Sequence, residues 1–190
     1  MTSTSLSLSV KTPNGSDVEV IERQEGSKEK IEEINKKYDS MYSKAERISS
    51  ASYIYNCHSF AWYSQNIEAN HYWMNNPTAY YLDGSYIEIS YLELKERDRI
   101  CYFDNEGYNL HSGIVLKIKN EEPNDICGSS NVVEVQSKWG ACGLYQHSGD
   151  YCPYVSLYGG EATYVKYYRY SLNHRSEEHT SELQSRFGIS

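Results

Sequence analysis

The chain has 190 residues, enough for one ordinary domain and too few for two, so a single core should carry whatever function there is. Its 23% charged and 14% aromatic content argues against disorder, and with 20 tyrosines the core must be built partly from tyrosine. A net charge of −8, with no cluster of basic residues interleaved with aromatics, excludes a nucleic-acid partner, and no run approaches the ~18 apolar residues that span a bilayer.

Residues 1–26 read as a lead-in arm: Ser/Thr-rich, with the turn Pro13-Asn14-Gly15 ahead of the alternating segment Val18 to Ile21. From Lys28 to Ile48, Ile31, Ile34, Tyr38, Met41, Tyr42, Ala45 and Ile48 recur at spacings of three and four, with Glu32/Lys36 and Glu33/Lys37 on the polar side. That pattern predicts an amphipathic helix covering a sheet. A second helix is expected over YNCHSFAWYSQ, followed by a long loop at NNPTAYYLDGSY. Strands are predicted at Asp98–Phe103, His111–Ile118, Val132–Ser137 and Thr163–Tyr170. A helix pair ahead of a run of antiparallel strands predicts a single α+β domain over residues 27–174. The last segment, 175–190, loses all tyrosine and all apolar period; its RSEEHTSELQS resembles the translation of a sequencing adapter and is expected to be foreign to the protein.

Asn56 is a strong N-cap residue, so Cys57 should open a helix, where unpaired N–H groups and the macrodipole favour a thiolate. His111, at the mouth of a strand, is the expected general base; His58 points around the helix and is the weaker choice, and His71 has no evident partner. A third polar group should hold the imidazole in its working tautomer. Gln136 is favoured for its amide oxygen. Ser137, on the opposite face of the strand, and Glu134, on the same face as Gln136, are the alternatives.

Asn56-Cys57-His58-Ser59-Phe60 resembles the D-C-S-G-F nucleophile motif of the NlpC-type cell-wall endopeptidases, a branch of the papain-like cysteine hydrolases that includes the CHAP amidases. DRICYF is similar to their G-D-L-V-F-F strand, and His111-Ser112-Gly113-Ile114-Val115 to their H-V-G-I-Y strand. The segment SKWGACGLYQHSGDYCPY and the YNCHS motif further resemble exported clostridial proteins. The resemblance implies a papain-like fold with its helix pair packed on an antiparallel sheet. It also implies Cys57 as nucleophile, His111 as base, a third polar residue near Gln136/Ser137, and backbone N–H groups of Cys57 and His58 holding the oxyanion. Asn56 stands where the family has Asp, and the family's upstream Tyr-x-x-Gly-Gly element is missing.

Trp139 and His147 are candidates for lining the cleft, with a core position the rival for Trp139. Four cysteines remain besides Cys57, without a C-x-x-C pair, so neither metal nor cofactor is expected, and a Cys142–Cys152 disulfide is expected if the chain is exported. The leading expectation is a secreted or cell-surface, monomeric cysteine hydrolase cleaving an amide bond in peptidoglycan peptides. Its rival is a cell-surface binding module that uses the tyrosine-rich surface and the Trp139 loop.

Overall fold

A computed structural model describes residues 8–171; the terminal segment 175–190 lies outside the described residues. The chain is predominantly β. Seven antiparallel strands form one sheet in the order β3-β8-β7-β6-β5-β9-β4, and two more form a separate hairpin. The hairpin strands are β1 (Leu8–Lys11) and β2 (Asp17–Val20); the sheet is built from β3 (Glu46–Ser49), β4 (Tyr86–Ile89), β5 (Arg99–Phe103), β6 (Asn109–Ile118), β7 (Val133–Lys138), β8 (Leu144–Ser148) and β9 (Tyr164–Tyr170). Among the described residues, helix is confined to α1 (Lys28–Met41), a π-helix at Ser59–Tyr63, α2 (Ala79–Leu82) and short helical turns. The expected helix pair packed on a sheet is therefore overturned.

The reasons are local. Helix α1 starts on the Ser27 side chain, which accepts from Lys30 N–H, but stops at Met41, and no residue in it is fully buried. The sequence beyond it pairs as β3 with the free edge of β8, because an unpaired sheet edge outbids the weak helix propensity of Ile48-Ser49-Ser50. The second expected helix holds one short helical stretch. Ser64 turns extended (φ −150°, ψ 129°), and the Gln65 amide bonds back to Phe60 O at 2.6 Å, so the chain leaves the helix there.

The lead-in arm is a packed hairpin. Val10, Val18 and Val20 are buried, Thr12 bonds to Asp83, and Asn14 donates to Asp83 O at 2.9 Å; Gly15, at φ +92°, supplies the left-handed turn.

The sheet separates two apolar clusters. On one face Phe60, Ala61, Trp62, Tyr80, Tyr86, Cys101, Phe103 and Ile114 pack around the π-helix. On the other, Ile100, Tyr102, Val115, Val135, Trp139 and Tyr145 lie beneath Tyr38 and Tyr42 from the end of α1. Strand alternation puts Ser112 on the first face, opposite Cys101, and His111 on the second, opposite Tyr102. Gly113 lets β6 and β7 close together: a Cβ there would sit 2.6 Å from Val135 Cγ1 and 3.0 Å from Ser137 Cβ.

Candidate active site

The Asn56 side chain builds the entry to Cys57. Its Oδ1 accepts from Ser59 N–H and from Met74 N–H, each at 3.1 Å, while its Nδ2 donates to Met74 O at 2.8 Å. This is an N-cap that also pins the next loop to the helix start; an aspartate could accept the two N–H groups but could not donate to Met74 O. Behind it, the buried Arg99 guanidinium donates to Ala61 O at 2.5 Å and ties the π-helix to β5. The N–H groups of Ser112, His58 and Cys57 all act on the Cys57 sulfur.

His111 is completely buried and belongs to a chain of hydrogen bonds whose proton positions follow from donor and acceptor inventories. His147 Nδ1 lies 2.7 Å from Ser148 O, and a carbonyl can only accept, so Nδ1 carries the proton. Burial pushes the His147 pKa down to about 4, which keeps the ring neutral and leaves Nε2 as a lone pair for the Ser137 hydroxyl, 2.7 Å away. The Ser137 oxygen in turn accepts the Trp139 indole N–H at 3.1 Å, which leaves one lone pair for His111 Nε2–H at 2.9 Å. His111 is also neutral, its pKa held well below the ordinary value by burial first and by the nearby His147 and His58 next. Its Nδ1 is therefore a bare lone pair, and that atom is buried without a hydrogen-bond partner.

The group that holds the His111 imidazole is Ser137, with His147 behind it. Gln136 faces the other side of β7, opposite Ile114 and Gln146, and Glu134 bonds to Gln146 instead, so neither supports the imidazole. Trp139 and His147 do not line a cleft; both are buried members of this chain, with Trp139 stacked on Tyr145 at 4.0 Å. His58 has its own fixed partners: Nδ1 lies 2.9 Å from Ser112 Oγ, which also accepts the Trp62 indole N–H, and the Asn109 backbone acts on the same ring.

The thiol departs from expectation. Cys57 is 4% exposed, and burial outweighs the surrounding N–H groups and Lys138, so its pKa rises to about 11. At rest the Cys57 thiol and the His111 imidazole are both neutral. Tyr154, partly exposed, stacks flat on His111 with ring centroids 3.8 Å apart and forms its outer cover. Sequence offered no signal for that contact, because it depends on how the long β8–β9 connection returns across the sheet. Lys138 was also missed: fully buried, it donates to Ser52 O at 2.9 Å and Gly140 O at 2.6 Å, and sits 4.7 Å from the Tyr55 ring centre. Burial pushes its pKa down to about 7.

All five cysteines are free thiols, so the Cys142–Cys152 bridge is not formed. Cys142 lies against Tyr38, while Cys152 is buried beside Cys127 and the Tyr154 backbone. Among the described residues, no group of three His, Cys, Asp or Glu side chains could hold a metal ion, and no helix is long and apolar enough to cross a membrane.

Three buried histidines with depressed pKa values make stability pH-dependent. An unfolded histidine titrates near 6.5, whereas folded His58 and His147 titrate near 4 and His111 well below its ordinary value. Between those limits the unfolded chain binds more protons. Stability is therefore full above pH 6.5 and falls as the pH drops toward 4, by up to about 4 kcal/mol per pH unit if all three contribute. Urea unfolding at pH 7, 6 and 5 should show the midpoint falling steeply below 6.5; a flat profile would show that the histidines are not buried neutral.

No protein-family model, curated protein or solved structure matches the chain.

Proposed function

We propose that the protein is a cysteine hydrolase that cleaves an amide bond through an acyl-enzyme on Cys57, with His111 as general base and Ser137–His147 as the unit that orients it. The observation that carries this reading is the unpartnered lone pair on buried His111 Nδ1, fixed by a hydrogen-bond chain that leaves the opposite nitrogen protonated. A buried polar atom left without a partner is costly in a merely structural role, by about 1–3 kcal/mol.

The chemistry follows from the resting protonation states. As the Cys57 sulfur attacks a carbonyl carbon, its proton passes to His111 Nδ1, and the carbonyl π pair moves onto oxygen. In this mechanism the oxyanion is received by the backbone N–H groups that act on the sulfur at rest. The imidazolium formed keeps its Nε2–H on Ser137, whose hydroxyl is held by His147. On collapse the proton goes from Nδ1 to the leaving amine; His111 then activates water to release the acid and restore the thiol. The sequence resemblance around Cys57 and His111 supports peptide amides of the bacterial cell wall as substrate and an exported location. This reading retains the chemistry of that resemblance without the helix-pair architecture.

The resting site is closed, so Tyr154 must swing away for substrate to arrive. Tyr154→Ala should therefore raise the rate of Cys57 alkylation by iodoacetamide at pH 7.5 by about tenfold or more, as the thiol regains solvent and its pKa falls toward 8.5. Peptide mapping of the alkylated residue checks this. Equal rates in wild type and variant would place the barrier elsewhere and remove Tyr154 as the cover.

A further inference from the structure

A groove of about 920 Å³ opens on the same sheet face as the π-helix, over β5, β9 and β4, walled by the Asn75–Leu82 segment and the Gly107–Asn109 turn. We propose that this groove binds a neutral oligosaccharide.

Its size is that of a small-ligand site. Its lining joins flat aromatic surfaces to amide side chains. Tyr81 is backed by Tyr168 in a stacked pair at 4.6 Å, and Tyr164 by Phe103 at 5.4 Å, so both rings are held rigid from behind. Tyr108, 64% exposed, stands at the mouth. Rigid aromatic faces carry negative potential and suit the polarised C–H faces of pyranose rings at little entropic cost. Asn75 and Asn76, whose oxygens accept from the Trp73 indole and from Thr78, have N–H groups left to donate to ring hydroxyls, and Asn109 adds an amide that both donates and accepts. Asn109 Oδ1 is buried with no partner of its own.

Charge and topology select among ligand classes. The two opposite charges in the lining, Lys166 and Glu88, neutralise each other in a 3.1 Å pair, so nothing there favours a phosphate or a carboxylate. Strands β5 and β9 each have both edges paired, so a peptide laid over them finds no backbone ladder to join, and only the outer side of β4, at the end of the sheet, offers an edge. A neutral polyol with a flat apolar face needs neither. Asn109, at one side of the groove, lies two residues before His111 in sequence, and its amide is 3.5 Å from Ser112 Oγ.

Binding here does not depend on turnover at Cys57, and so it is tested separately. The full chain is titrated by calorimetry with chitotetraose and cellotetraose, and with tetragalacturonate and a decaproline peptide as charged and peptide comparators. The expected result is saturable binding of at least one neutral tetrasaccharide, with a Kd of about 10⁻⁴–10⁻³ M. It should weaken about fivefold or more in Tyr108→Ala and in Tyr164→Ala. Tyr108→Ala removes an exposed ring, so its fold should be intact, and an unchanged melting temperature checks that. Binding of neither neutral sugar, binding unaltered in the folded Tyr108→Ala and Tyr164→Ala proteins, or binding of tetragalacturonate or decaproline instead would each overturn the proposal.

Discussion

Cys57→Ala and His111→Ala are each expected to abolish amide hydrolysis, lowering kcat/KM by about 10⁴-fold or more, and the double variant should lose little beyond either single one. Non-additivity follows from the proton path: a sulfur without a base and a base without a sulfur both leave the first step undone. Neither side chain holds the fold through a bond that alanine would strand. His111 makes one hydrogen bond, to Ser137, and the Cys57 thiol is surrounded by backbone N–H groups. Both variants should therefore fold, at a cost of about 1–4 kcal/mol for the buried volume removed. Kinetics on a muropeptide substrate beside thermal melts of the same proteins decide it. Losses that multiply would show two independent contributions and count against a dyad.

Ser137→Ala should be the most damaging change outside the dyad, in stability as well as in rate. One hydroxyl oxygen serves His111 Nε2–H, His147 Nε2 and the Trp139 indole N–H, all buried. Removing it strands three polar groups at about 1–3 kcal/mol each, so an unfolding free energy lower by about 3 kcal/mol or more is expected. The rate should fall further than the stability loss explains. Without Ser137 the His111 proton is free to move to Nδ1, the nitrogen that must stay bare, and a wrong tautomer costs about 10²–10⁴-fold. Gln136→Ala is the control. It sits next door on the opposite face and should change stability by about 1 kcal/mol or less, with no effect on rate. Equal effects at 136 and 137 would dissolve the assigned relay.

How far the sequence could be read depended on the range of the forces involved. The four strands Arg99–Phe103, Asn109–Ile118, Val133–Lys138 and Tyr164–Tyr170 are visible in local composition, as are the Pro13–Gly15 turn and the Asn56 cap. The shortfall of helix was not visible, because Glu46–Ser49 becomes a strand only through the edge that β8 offers, and β8 is hidden inside a Gly-rich segment that reads as loop. The proposed dyad, Cys57 and His111, rests on residue types and local pattern. Its partner was misassigned between neighbours: Gln136 is the better acceptor in isolation, but strand register decides which of two adjacent residues faces His111, and Gly113 sets that register by letting β7 approach. The expected thiolate failed for a similar reason. Backbone N–H groups of the helix start and of Ser112 do surround Cys57, yet burial outweighs them and holds the thiol protonated.

The most direct test of the account is incubation of the full chain with purified muropeptides, with mass spectrometry of both products and protein. The account predicts wild-type products that differ from substrate by one water across an amide bond. It also predicts a covalent acyl adduct that maps to Cys57, with neither signal in Cys57→Ala. Intact muropeptides and an unmodified Cys57 in both wild type and the opened Tyr154→Ala protein would contradict it.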